Sequence, residues 1–364
     1  MAEITTMLKA QPSASAVIFI TICLLVFLNL NFNYVPVQIV KHGEEQVEAP
    51  KLVNNPWKTS KQEVVHKDVQ ALQPTSPIDG ISTAQPFGVP LNHGQTTRVP
   101  LVTYAYAETP YGRRNLEFFV KHGLHAAADF IFILNGDTDA DETIIPKGLS
   151  NVKIIKRENT CFDLGAHWEV LTKVPGDGSG AKALKDTYHK FILMNASIRG
   201  PFVPHWSKEC WTDAYLSKLS DKVKLVGSTI NCMGGGSQHI QSMIYATDRI
   251  GLDIILLPEG IGECFPSLQS AMNAEIRTTP LVKSKGYHID VMLANFQSEP
   301  DYAYENCTVN GEFLYDGAYY GFSVHPFETI FIKTNRGISP KLIDQHTEWV
   351  DASGYSSYDV CHVH

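Results

Sequence analysis

The sequence predicts an α/β fold, an open and mainly parallel sheet with flanking helices, preceded by a single transmembrane helix and a flexible stem. Three observations carry that prediction. From Pro100 onward short apolar runs alternate with helical patterns, as βα units do. Before them lies a stretch rich in Pro, Gly, Ser, Thr and Gln with no sustained period, a composition that cannot bury enough apolar surface to offset ordering. Earlier still, no charge falls between Lys9 and Lys41, and "SASAVIFITICLLVFLNLNF" supplies about twenty mostly apolar residues, enough to span a bilayer.

The implied organisation is a cytoplasmic tail over residues 1–12, a signal anchor over 13–33, a stem over 34–99 and a folded domain over 100–364. A cleaved signal peptide is the alternative for the apolar run, but the run is long for one and no small-x-small site clearly follows it. Lys9 and Lys41 nearly balance, so the rest of the chain must set orientation. Six cysteines follow the run without a CxxC pair, and N-x-S/T sequons occur at Asn195 and Asn306. Both features suit an oxidising lumen, hence a single-pass type II protein of the Golgi or endoplasmic reticulum, with one or two disulfides of unassigned pairing. A formal charge of −8 argues against a partner that presents nucleic-acid phosphates.

Taken in order, "LVTYAYAE" is the first strand, and "RRNLEFFVKHGL" follows with Leu116, Phe119, Val120 and Leu124 at helical spacing. "DFIFILNGD" and "NVKIIKREN" are the second and third strands. In "FDLGAHWEVLTKV" Leu164, Trp168 and Leu171 share a helical face, and Asp163 is a natural N-cap. "KFILMNAS" and "VKLVGSTI" are the fourth and fifth strands, whereas "MIYATDRIGLDIILL" reads equally as strand or helix. A last strand is expected in "ETIFIKT".

Ligands of such a sheet bind beyond the carboxyl ends of its strands, which directs attention to the polar residues after each apolar run. These are Tyr106 and Glu108, then Asn135, Asp137 and Asp139, then Asn159 and Asp163, then Asn195, Ser197 and Arg199. In "NTCFDLGAH" a helix start with Gly165 in its first turn suits a phosphate; an ordinary cap with a close-packed glycine explains the same residues. Asp137 and Asp139 form a literal D-x-D, able to offer oxygens to a divalent ion or simply to face solvent. If Ser267 caps a helix, Leu268, Met272 and Ile276 form its apolar stripe and Glu275 lies within it, facing the protein. A general base or one half of a buried salt bridge would sit there. Near the C-terminus aromatics, glycines, His325 and Glu328 mix as they do in sugar sites and also in plain cores; His325 is a further candidate metal ligand. No nucleophile elbow, HExxH, P-loop or GxGxxG is present.

The succession "VTYAYAE", "NLEFFVKHGL", "RENTCFDLGAH", "YHKFILMNASIRGPF", "HIQSMIYATDRIGLD" and "AEIRTTPLVKSKGY" resembles the GT-A glycosyltransferases, and among them the rhamnan-synthesis-type and related uncharacterised fungal or algal proteins. The resemblance covers roughly Val102 to Arg336. It implies a nucleotide-sugar donor held with the help of Tyr106, Asn159 and Asp163, and a sugar-phosphate and metal motif at Asn195, Ala196 and Ser197. It also implies a catalytic base at Glu275, eleven residues before Gly286, and transfer with inversion to a glycan or glycoconjugate acceptor. Two departures matter. Asn195-Ala196-Ser197 replaces the family's D-x-D, which leaves a manganese or magnesium ion without its usual carboxylates and makes Arg199 the cation that would neutralise the diphosphate. Pro280 interrupts the helix after the base, so Thr279 is expected to cap a new short one.

The same motifs leave two other functions open: a catalytically silent relative that binds carbohydrate or a lumenal partner, and a secreted hydrolase released from a signal peptide. Asn195 ends a buried strand, so Asn306 is the better glycan acceptor.

Overall fold

The computed structural model describes residues 99–174, 182–232, 238–296 and 311–362. The expected tail, anchor and most of the stem, residues 1–98, lie outside the described residues, as do Asn306 and the triple glycine Gly234 to Gly236. Among the described residues no helix is long and apolar enough to cross a membrane.

The four N-terminal apolar runs become strands β1 (Leu101–Ala107), β2 (Asp129–Asn135), β3 (Val152–Arg157) and β4 (Lys190–Asn195). They belong to a seven-stranded sheet of order β10-β6-β9-β4-β1-β2-β3, with β6 at Val223–Gly227, β9 at Ile244–Asp248 and β10 at His288–Val291; β7 (Ile230–Asn231) and β8 (His239–Ile240) pair with each other outside it. Pairing is parallel except at β9, which runs antiparallel to both neighbours. β1, β2 and β4 are apolar along almost their whole length because helices cover both faces of the sheet. β3 is the edge, and its lysines are turned outward.

Helix α1 (Pro110–His122) follows β1, with Thr109 accepting from the Gly112 amide at 3.0 Å and Pro110 at its first position. Helix α2 (Phe162–Thr172) follows β3. The ambiguous run resolves into both readings in succession: β9, then helix α3 (Arg249–Ile255), with Asp248 capping through the Gly251 amide at 2.9 Å. Two short elements that meet at the polar Thr247, Asp248 and Arg249 give no single period, which is why the run reads as either.

Helix α4 (Leu268–Ser284) opens on the expected Ser267 cap, but Pro280 does not break it. The ring is on the exposed side, while Thr278 and Thr279 are buried and held: Thr278 Oγ1 donates to the Ala274 carbonyl at 2.8 Å, and Thr279 Oγ1 accepts from the Ile240 amide at 2.9 Å. Tertiary contacts thus carry the helix through the lost backbone bond, and no new helix starts at Thr279. The expected strand "ETIFIKT" is mostly something else. Pro326–Thr329 is a helical turn, and only Ile332–Lys333 forms a strand, β11, antiparallel to β5 (Ile198–Arg199). A further helix, α5 (Pro340–Ser353), carries the Ser-Pro start and Gly354 stop that mark such elements.

Two disulfides, Cys161–Cys264 and Cys210–Cys361, join segments 103 and 151 residues apart. Cys232 is disulfide-bonded as well. His125 lies against the second bridge, but both sulfurs there are oxidised and offer no thiolate to a metal.

Two fully buried histidines make the fold sensitive to acid. Burial lowers His125 from 6.5 to about 3 and His167 from 6.5 to about 4. The unfolded chain would protonate both near 6.5 while the folded chain keeps them neutral, so stability is intact above that pH and falls below it. Each contributes a loss of about 1.4 kcal/mol per pH unit until its folded pKa is reached. Urea midpoints measured from pH 7.5 to 5 should drop accordingly, and His125→Phe should remove about half the slope.

Candidate active site

In this sheet β1 leads to β2 and β3 on one side while β4 pairs on the other, so chain direction switches between β1 and β4. A crevice at the carboxyl ends of the strands is expected there. The structure has a cleft of about 740 Å³ at that place.

Its floor is the ends of β1 and β4. Tyr106 is fully buried and donates its hydroxyl to Glu108 at 2.7 Å; burial and that carboxylate hold the phenol well above its ordinary pKa. Arg113, bonded to both Glu108 oxygens at 2.8 Å, pulls the carboxyl down to about 2. Tyr106 therefore shapes the floor, and its hydroxyl is already committed. Beside it Asn135 donates to the Tyr106 carbonyl at 3.0 Å and accepts from Arg157 at 2.7 Å.

One wall is the start of α2, with Asn159, Phe162, Asp163 and Leu164 facing the cleft. The N-cap is Cys161, not Asp163, and it makes no side-chain cap bond. Cys161 and Phe162 both have positive φ, 66° and 57°, which non-glycine residues rarely adopt. Two things hold that turn. Cys161 is bridged to Cys264, and Gly165 lies so close that a Cβ there would meet the Cys161 Cβ at 2.6 Å. Gly165 is thus a packing residue, the second of the two readings that its sequence left open. Freed from capping, Asp163 accepts a short hydrogen bond from the Asn195 amide group. Asn195 Oδ1 in turn accepts from the Ser197 amide at 3.0 Å and hydroxyl at 2.6 Å. Two clusters 32 residues apart in sequence are thereby fused into one polar chain, Asp163–Asn195–Ser197.

The opposite wall is α4. Leu268, Ala271, Met272, Glu275 and Ile276 line the cleft at helical spacing. The stripe expected to face the core faces the cleft instead: Leu268 is 62% and Met272 43% exposed. The face that packs on the sheet carries the small residues Ala271, Ala274 and Thr278, with Val282. Glu275 Oε1 accepts from the Ser242 amide at 2.6 Å, which fixes the carboxylate on the cleft side of the helix. The rim is completed by Asn231, His239, Gln241, Lys333, Asn335 and Arg336. Behind Gln241 the buried Glu312 accepts from its amide at 3.0 Å and from Asn231 at 2.8 Å.

Four predicted residues lie elsewhere. Arg199 is 3% exposed and turned away from the cleft lining, bonded to Asn115 at 3.0 Å, Thr347 at 3.1 Å and Asp344 at 3.3 Å. It pins α1 to α5 and cannot meet a diphosphate in the cleft. Asp139 is paired with Arg113, and neither it nor the exposed Asp137 lines the cleft. His325 caps the Pro326–Thr329 turn through Nδ1 and packs on His346, with ring centres 4.6 Å apart. The cations that do reach the cleft, Lys333 and Arg336, lie in "FIKTNR", at and just beyond the end of the expected last strand.

A divalent ion fits poorly here. The carboxylates lining the cleft are Asp163, taken by Asn195, and Glu275, taken by Ser242, and among the described residues no set of three metal-ligating side chains gathers there.

No protein-family model and no curated protein matches the chain. Among solved structures it is similar to the mannosyltransferase PcManGT from Pyrobaculum calidifontis in complex with GDP-Man and Mn2+, at 12% identity and a TM-score of 0.31 over 60% of this chain and 58% of that one. The glycosyltransferase GlyE of Streptococcus pneumoniae matches at 11% identity and a TM-score of 0.36 over 72% and 66% of the two chains. Its apo form matches at 10% identity and 0.35 over 71% and 65%. The chain thus spans 58 to 66% of the length of these structures.

Proposed function

We propose that this protein is a glycosyltransferase that moves a sugar from a nucleotide-sugar donor to a glycan or glycoconjugate acceptor with inversion. The observation that carries the reading is the placement of Glu275 on α4, across the cleft from the Asp163–Asn195–Ser197 chain at the switch point of the sheet. In this reading Asn159, Asp163, Asn195 and Ser197 orient the donor. Glu275 takes the proton of the acceptor hydroxyl, whose oxygen bonds to the anomeric carbon as the bond to the diphosphate oxygen breaks. The exposed apolar side chains of Leu268, Met272 and Phe162 suit the non-polar face of a sugar ring or a nucleobase.

The protein is further proposed to be a type II membrane protein of the Golgi or endoplasmic reticulum, anchored by residues 13–33 and glycosylated at Asn306. The disulfides favour an oxidising compartment. Protease protection in sealed microsomes tests this: a catalytic domain digested without detergent would overturn it.

A panel of UDP- and GDP-sugars titrated against the full chain tests the activity. At least one donor should bind and be slowly hydrolysed or transferred. Binding of oligosaccharides with no donor binding across the panel would favour a carbohydrate-binding protein, the reading supported by Asn195-Ala196-Ser197 standing where the resemblance expects a D-x-D.

A further inference from the structure

The cleft holds a charge arrangement that neither its architecture nor its packing requires. Lys333 sits on β11, mostly buried, with its side chain on the cleft lining. Its partner strand β5 carries the buried Ile198 opposite it, so the strand pairing needs nothing from the ammonium. Among the described residues Lys333 makes no ion pair and no side-chain hydrogen bond. Buried lysines are rare unless paired, and here burial pulls the ammonium pKa down while Glu275, Asp163 and Glu312 pull it back up. Arg336 approaches from the same turn and repels it. Two cations thus converge on one region of a cleft whose nearest carboxylates are engaged elsewhere, Asp163 with Asn195, Glu275 with Ser242 and Glu312 with Gln241. Such an arrangement is satisfied by an incoming anion with more than one negative charge.

We propose that Lys333 and Arg336 are the diphosphate-binding residues of the cleft, neutralising the nucleoside diphosphate of the donor in place of a divalent metal ion. This rests on the glycosyltransferase reading and sharpens it. The strand end that would have carried the metal's carboxylates is Asn195-Ala196-Ser197, and Arg199, the nearer cation in sequence, is built into the scaffold. Lys333 is carried to the same place by a different element, because β11 pairs with the strand that directly follows Ser197. As the glycosidic bond breaks, the charge that develops on the leaving diphosphate falls against a partly desolvated ammonium, where electrostatic stabilisation is stronger than in water.

The test is calorimetric titration of the full chain with UDP and GDP and with the corresponding nucleosides, in EDTA and in manganese. The expected result is that a nucleoside diphosphate binds in EDTA with affinity unchanged by manganese. Lys333→Met, which preserves the buried volume, should weaken the diphosphate by about 10- to 100-fold while leaving the nucleoside unaffected. Lys333→Arg should recover part of the loss, and Arg336→Ala, at an exposed position where folding is not at risk, should weaken the diphosphate alone. Diphosphate binding that appears only with manganese, or that ignores both Lys333→Met and Arg336→Ala, overturns the assignment and leaves the glycosyltransferase reading standing. No nucleotide binding under any condition overturns both.

Discussion

Glu275→Gln is expected to lower the transfer rate by about 10²- to 10⁴-fold, the usual contribution of a general base, with donor affinity unchanged. The substitution isolates chemistry from architecture. Glutamine keeps the volume of the side chain, and its carbonyl can accept from the Ser242 amide as Glu275 Oε1 does at 2.6 Å. That bond places the group but cannot supply the proton acceptor, so geometry survives and basicity does not. Ala271 and Ala274, on the packed face of α4, are untouched, and the helix should melt as before. Single-turnover transfer with saturating donor reads the effect, and donor titration controls for binding. A variant that transfers at the normal rate would remove Glu275 from the base role, while one that loses donor binding as well would mark it as a residue that organises the cleft.

Much of the cleft was legible in the sequence because it obeys a positional rule. Asn159, Asp163, Asn195 and Ser197 are polar residues that follow apolar runs, and the parallel sheet brings those run ends together. The same rule failed for Arg199, and the failure has a structural cause. The chain does not stop at Ser197 but reverses into β5, which turns Arg199 toward α1 and α5. Side-chain direction after a strand end depends on a pairing partner 133 residues later, and no local pattern encodes it. Lys333 was missed for the complementary reason, since a lysine inside "FIKTNR" reads as the outward residue of an ordinary strand. The α4 stripe shows a further limit. Periodicity identified the apolar face but not what that face meets, and alanines on the neighbouring face let the helix pack closely on the sheet while its larger apolar side chains line a cleft.

Removing the Cys161–Cys264 bridge, as Cys161→Ser with Cys264→Ser, is expected to cost about 4 to 5 kcal/mol on the chain-entropy scale for a loop of 103 residues. The loss should reach function by a route that global stability alone would not open. The bridge joins the first turn of α2, which carries Asp163, to the segment just before α4, which carries Glu275. It also retains Cys161 and Phe162 in left-handed backbone conformations that cost about 1 to 2 kcal/mol each when nothing compensates them. Without the bridge that turn is free to relax, Gly165 loses the contact that required a glycine, and Asp163 drifts from Asn195. Removing Cys210–Cys361 provides the control, because that bridge closes a longer loop of 151 residues but touches no residue of the cleft lining. Both double variants should shift the urea midpoint by comparable amounts. Assayed at a temperature where each is fully folded, the first should bind donor more weakly and the second should bind it normally. Equal donor affinities in the two would mean that the first bridge serves stability alone, and that the two walls of the cleft are held in register by the sheet without it.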